Sequence, residues 1–222
     1  MKQLKILKGI RIPEWLCKNG TKDSLLNAKE KNKIRKHILP RAIRLGSYFG
    51  LYGEGEEFIM LKNLLKKLKK KIRIRMLDNG EGFGNKAKLK EIAEKTQELL
   101  LQNFKKFAKE GRETFAVLWL DFCGQMSHLL LEYIRLAPRI MQGKGEIYIT
   151  IMETRDSMFP KWMTREQRRE QTIRLIIDEF KAKGVILKVI YQKRYGSIPM
   201  RPDRKTMRQT PMWTIGFAYE KI

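Results

Sequence analysis

The chain has 222 residues, with 48 Lys+Arg against 24 Asp+Glu and a formal charge of +24. Its isoelectric point is near 10.1. A hydrophobic content of 42% with 9% aromatics excludes a disordered chain, and so large a charge excess argues against a plain metabolic enzyme, because it repels itself unless a polyanion balances it. Two cysteines, Cys17 and Cys123, rule out a disulfide framework and a Cys-built zinc site. Two histidines, His37 and His128, are too few for a His-rich metal centre. No run approaches the ~18 apolar residues of a membrane span. Basic residues break up the apolar stretch of MKQLKILKGIRIPEW, which makes it a poor signal peptide. The expected setting is therefore reducing and cytoplasmic, with no membrane partner. Rich Lys, Glu and Ile usage is compatible with a thermophile.

The excess charge is uneven. Residues 1–45 carry a net of +10, residues 161–210 a net of +9, and the middle, 46–160, only +5. Two basic segments thus flank a nearly balanced body, which predicts a polyanion-binding surface, with nucleic acid as the partner. Such binding releases counterions and falls steeply as salt rises.

In chain order, KDSLLNAKEKNKIRKHI (22–38) reads as a basic helix stopping before Pro40. GSYFGLY (46–52) suits a buried strand and ends in the turn Gly53-Glu54-Gly55. EEFIMLKNLLKKLKK (56–70) has Phe58, Leu61, Leu64, Leu65 and Leu68 at helix spacing, with acids first and lysines last. KIRIRML (71–77) alternates as a strand and ends at Asp78-Asn79-Gly80. A glycine-rich loop then leads to a long predicted helix from Asn85 to Glu110, closed by Gly111. TFAVLWL (114–120) is apolar on both faces and so a central strand, with Asp121 at its carboxyl end. A helix is expected from Gly124 to Gln142, kinked at Pro138. GEIYITIME (145–153) is a strand, 163–182 an Arg-rich helix with a stripe of Ile173, Ile176, Ile177 and Phe180, and VILKVIYQK (185–193) a strand. A Pro- and Arg-rich loop precedes the last strand, MWTIGFAYEK (212–221), with Trp213, Ile215, Phe217 and Tyr219 on one core face.

This alternation predicts an α/β fold with a doubly wound, mostly parallel sheet. The last two strands, joined without a helix, should form an antiparallel hairpin. The expected organisation is a basic N-terminal extension with a helix, 1–45, followed by one domain, 46–222.

The pattern resembles the Rossmann-like, S-adenosylmethionine-dependent methyltransferases, in topology and loop positions rather than in strong motifs, over roughly 46–222. In that family the first strand ends in a glycine-rich turn that lets the backbone approach the cofactor, and here Gly53, Glu54 and Gly55 hold that place. The acid that usually opens the motif is absent: Phe49 falls near its position, and Leu51 replaces an expected glycine. The family's second strand ends in an acid for the ribose hydroxyls, where Asp78 stands, followed by Asn79. After its fourth strand the family carries an Asp or Asn facing the transferred methyl, and Asp121 in LDFCGQ matches. Phe122-Cys123-Gly124 stands where base-amino methyltransferases have two prolines and an aromatic residue. One family strand, between the ribose acid and the strand before Asp121, is missing or replaced by the long helix in this reading.

The resemblance implies S-adenosylmethionine as cofactor and methyl transfer to DNA or RNA, with Asp121 as the catalytic residue. Phosphate contacts are expected from Lys33, Arg35, Lys36, Arg41 and Arg44 near the N-terminus, from Arg165, Arg168 and Arg169 on the later helix, and from Arg201, Arg204, Lys205 and Arg208 in the hairpin loop. Met200, Met207, Tyr195 and Trp162 are candidates to stack on an exposed base. Two other readings stand beside this one. The first is a basic nucleic-acid-binding protein that kept the fold and lost the chemistry. The second is a nuclease holding a divalent metal on Asp78, Asp121 and Glu153.

Overall fold

A basic amphipathic helix, α1 (Lys22–Leu45), opens the computed structural model, which describes residues 22–51, 56–78, 96, 98–153, 158–160, 162–197 and 210–222. The helix does not stop before Pro40 but runs through it. Proline removes one helix hydrogen bond at a cost of ~3 kcal/mol. Burial of Ile34, Ile38, Leu39, Ala42 and Ile43 on the sheet outweighs that cost. The Arg41 guanidinium folds back and donates to the His37 carbonyl at 2.8 Å, in the turn that contains Pro40. Gly46, at φ 86°, reverses the chain after the helix, and its N–H bonds the Ala42 carbonyl.

Strand β1 (Ser47–Leu51), helix α2 (Glu56–Leu68) and strand β2 (Arg73–Asp78) follow much as their apolar spacing predicts. The next segment overturns a prediction. Within the expected long helix the chain forms a third strand, β3 (Leu99–Leu101), paired in parallel with β2, and only α3 (Phe104–Glu110) is helical. Three leucines in a row fit a buried strand as well as a helix. Asn103 decides the boundary, because its side chain accepts from the Lys105 N–H and starts a fresh helix there. The family strand that the sequence reading omitted is therefore present.

Strand β4 (Phe115–Gln125) extends beyond Asp121. Helix α4 (His128–Leu136) starts later than Gly124 because Ser127 caps it. At Pro138 the chain turns through a short 3-10 segment, Ala137–Ile140, directly into β5 (Met141–Met152). Within β5, a Cβ on Gly145 would lie 1.9 Å from the Ala116 carbonyl oxygen, so only glycine lets β4 and β5 approach there. Helix α5 (Arg165–Lys181), β6 (Val185–Ser197) and β7 (Thr210–Lys221) complete the chain. A capping box of Thr164 and Gln167 opens α5.

The seven strands form one sheet in the order β3-β2-β1-β4-β5-β7-β6. All neighbours are parallel except β7, which runs antiparallel between β5 and β6. The expected hairpin ending is thus present, with β7 inserted beside β5. One face packs α3, α4 and α5 around Phe49, Leu118, Ile149, Trp213 and Phe217. The other packs α1 and α2 around Tyr48, Met76, Trp119 and Tyr148.

Candidate functional site

In an open α/β sheet the ligand crevice lies outside the carboxyl ends of the strands, where the strand order reverses. Here the reversal falls between β1 and β4. Gly50 pairs with Met76 on one side and Trp119 on the other. Asp78 and Asp121 each stand two residues further along, so they share one row, with the tip of β1 between them. Two strand spacings separate them, roughly 10 Å. Asp78 is buried at its strand tip. The turn Gly53-Glu54-Gly55 and Asn79 lie outside the described residues, as do Arg201, Arg204, Lys205 and Arg208.

Helix α1 reaches into this row. The Lys31 ammonium lies 2.8 Å from Asp121 Oδ2, with both side chains mostly buried. One turn on, Arg35 Nη2 lies 3.1 Å from Glu57 Oε1 in a pair only 4% and 7% exposed. The other arm of Arg35 donates to Asn32 Oδ1 at 2.8 Å. Arg35, expected to grip phosphate, is therefore turned inward and spent within the protein. The Tyr48 hydroxyl is buried beside these groups without a hydrogen-bond partner. Burial, and then the Glu57 carboxylate, push its ionisation well above the usual phenol range, so it stays a neutral donor. Lys31, Tyr48 and Glu57 were not singled out in the sequence. Lys31 and Asp121 are 90 residues apart, and no local spacing pairs them.

The other cations divide by position. Lys33 is exposed and pairs with Glu30 at 2.5 Å, and Lys36 is exposed. Arg41 and Arg44 lie 3.3 and 3.4 Å from Glu146. Glu146 pairs with Val117, four residues before Asp121, so these two arginines sit towards the amino ends of the strands. Arg165, Arg168 and Arg169 lie at the start of α5, at the carboxyl edge but on the opposite face of the sheet from α1. Arg169 pairs with Glu153 and Glu166. Glu153 also accepts from Arg194 at 3.1 Å. Its carboxylate is thus bound by two arginines and does not converge with Asp78 and Asp121. Among the described residues no group of three His, Cys, Asp or Glu side chains could hold a metal ion. Trp162 is 74% exposed, whereas Tyr195 is buried in the core and cannot stack on a base. No described helix is long and apolar enough to cross a membrane.

No protein-family model matches the sequence, and no curated protein matches it. Solved structures match it in fold. A candidate RNA methyltransferase from Pyrococcus horikoshii superposes with a TM-score of 0.51 at 13% identity, over 85% of this chain and 83% of that one. A candidate S-adenosylmethionine-dependent methyltransferase from Streptococcus mutans gives 0.54 at 11% identity, over 85% of this chain and 48% of that one. A candidate methyltransferase solved with S-adenosylhomocysteine gives 0.52 at 9% identity, over 85% of this chain and 49% of that one. This chain therefore spans about half the length of the last two. With the strand order, the inserted antiparallel β7 and these superpositions together, the chain has the Rossmann-like fold of the S-adenosylmethionine-dependent methyltransferases.

Proposed function

We propose that this chain is an S-adenosylmethionine-dependent methyltransferase whose acceptor is a nucleic acid, DNA or RNA. The observation that carries the reading is the shared row of Asp78 and Asp121 on either side of the β1 tip, in a chain of charge +24. The residues present fit the cofactor. Asp78 offers a buried carboxylate at a strand tip, where ribose hydroxyls need an acceptor. Gly53, Glu54, Gly55 and Asn79, which the family resemblance assigns to the cofactor, lie outside the described residues and enter this reading from the sequence alone. When bound, the cofactor supplies a methyl group on a sulfonium, whose sulfur leaves without protonation. The protein's own task is then mainly alignment. Asp121 orients the acceptor and takes its proton, and Lys31 holds that carboxylate in place. Lys33, Lys36, Arg165 and Arg168 offer surface charge to phosphates from the two faces.

Calorimetry tests the cofactor site. We expect heat on adding S-adenosylmethionine to the wild type and at least tenfold weaker binding to Asp78→Ala. Labelled-methyl transfer to DNA, tRNA and rRNA tests the acceptor. No heat from the wild type at millimolar ligand would leave the second reading, a basic nucleic-acid-binding protein on a methyltransferase fold. The ammonium of Lys31 seated on Asp121, and Phe49 buried in the core where the family acid would stand, favour that alternative.

A further inference from the structure

A cavity of about 320 Å³ opens between the end of β5 and the first turns of α5, lined by Arg165 and Arg168 among others. Its floor is apolar, made by Met126, Ile151, Phe159 and Trp213. Arg165, Arg168 and Arg169 contribute three cations to its wall, against Glu153 as the acidic lining residue. The Glu153 oxygens are taken by Arg169 and Arg194.

Two of the residues that line this cavity carry a buried donor without an acceptor. Trp213 is 1% exposed, and its indole Nε1–H is buried with no hydrogen-bond partner. Arg169 Nη2 is likewise buried and unpartnered. Neither group can accept, so only an acceptor satisfies them. Buried donors left unmatched are rare and ask for an explanation. The positive dipole end of α5 adds to the same preference. Charge, unmet donors and helix direction all call for an oxygen-rich anion.

We propose that this cavity is a phosphate-binding pocket, with Arg165 and Arg168 at its wall and Trp213 Nε1 as a buried donor. The proposal rests on the nucleic-acid reading for the source of the phosphate, a backbone diester of the acceptor strand. A terminal phosphate monoester is the other source of the same chemistry. Asp121 pairs with Thr150, one residue before Ile151 of the cavity floor. A phosphate seated there lies at the same carboxyl edge as Asp121 but on the other face of the sheet from its carboxylate.

The test uses the full chain labelled with [15N]tryptophan, whose four indoles give separate N–H resonances. Trp213→Phe identifies its signal, or full backbone assignment does so if that variant does not fold. The probes are inorganic phosphate, a nucleoside 5′-monophosphate and a single-stranded oligonucleotide without terminal phosphate. We expect a saturable downfield shift of the Trp213 indole, with a midpoint raised tenfold or more in Arg165→Ala/Arg168→Ala and an unchanged unfolding temperature. A shift with the oligonucleotide assigns the backbone diester, whereas a shift with only the two small probes assigns a monoester. An unmoved Trp213 signal with all three probes, or an undiminished response in the double variant, overturns the pocket. Oligonucleotide retained on filters while Trp213 stays unmoved removes the pocket and leaves the nucleic-acid reading. A phosphate shift from a protein that retains no nucleic acid does the reverse.

Discussion

Under α3, α4 and α5 the sheet presents Phe49, Leu118, Ile149, Trp213 and Phe217. Under α1 and α2 it presents Tyr48, Trp119, Tyr148 and Thr150, threaded with ions. The first face is closed almost entirely by carbon. On the second, Trp119 Nε1 donates to Thr150 Oγ1 at 3.0 Å, and Thr150 bonds Thr214 at 2.8 Å. Tyr148 donates to Glu146 at 2.5 Å, Arg35 pairs with Glu57, and Lys31 pairs with Asp121. Buried polar groups must be fully satisfied or they cost stability. The apolar face therefore supplies cohesion, and the ionic face trades cohesion for side chains held in fixed directions beside the candidate site.

Phe217→Ala on the apolar face should show the largest change. It should cost about 3–5 kcal/mol, read as a lower denaturation midpoint. Glu57→Gln breaks the buried pair with Arg35, and a broken buried pair costs about 3–5 kcal/mol. The contrast sharpens in the double variant Arg35→Met/Glu57→Leu. An apolar pair of similar volume should restore most of that stability, whereas nothing restores Phe217→Ala but another large apolar side chain. Lys31→Ala leaves the fold standing and should lower methyl transfer about tenfold, equivalent to about 1.4 kcal/mol. An unchanged rate would show that the pair does not position Asp121.

His37 gives a pH-dependent difference between the faces. Its ring stacks on Tyr191, and its Nδ1 faces the Arg41 guanidinium at 3.2 Å. Because arginine can only donate, Nδ1 must accept, and the ring is neutral. Burial, then the Arg41 charge, lower its pKa from 6.5 to about 4. The unfolded chain therefore binds this proton first. Stability is fully present above about pH 6.5 and is lost as pH falls towards 4, by about 1 kcal/mol once solvent screening is allowed for. His37→Gln should flatten that slope in acid denaturation. The smallest effect is expected at Lys33→Ala. Its exposed pair with Glu30 should contribute less than about 0.5 kcal/mol, while weakening nucleic-acid retention at low salt.

The sequence pattern reads most easily where one short-range rule governs a segment. The alternation of KIRIRML and the stripe Ile173, Ile176, Ile177, Phe180 became β2 and α5. Leu99–Leu101 misled because periodicity cannot separate a short buried strand from a helix, and the cap at Asn103 carried the missing boundary. Asp78 was legible as an acid at a strand end, whereas Asp121, read as one, lies inside a longer β4, and their common row came only from the pairing register. Arg35 was legible in principle. It lies next to Ile34 and one turn from Ile38 and Leu39, on the buried stripe of α1, and a charge on such a stripe points to a partner inside. That the partner is Glu57, from the helix beyond β1, is a tertiary fact with no local signal.

The double duty of α1 has a practical consequence. A truncation meant to strip away the first cluster of positive charge would also peel the cover from Tyr48, Val117 and Trp119. The shortened product would be expected to precipitate, and its failure to retain nucleic acid would then say nothing about electrostatics. The charge has to be removed one outward side chain at a time, at Lys33 and Lys36, with the inward positions left as they are.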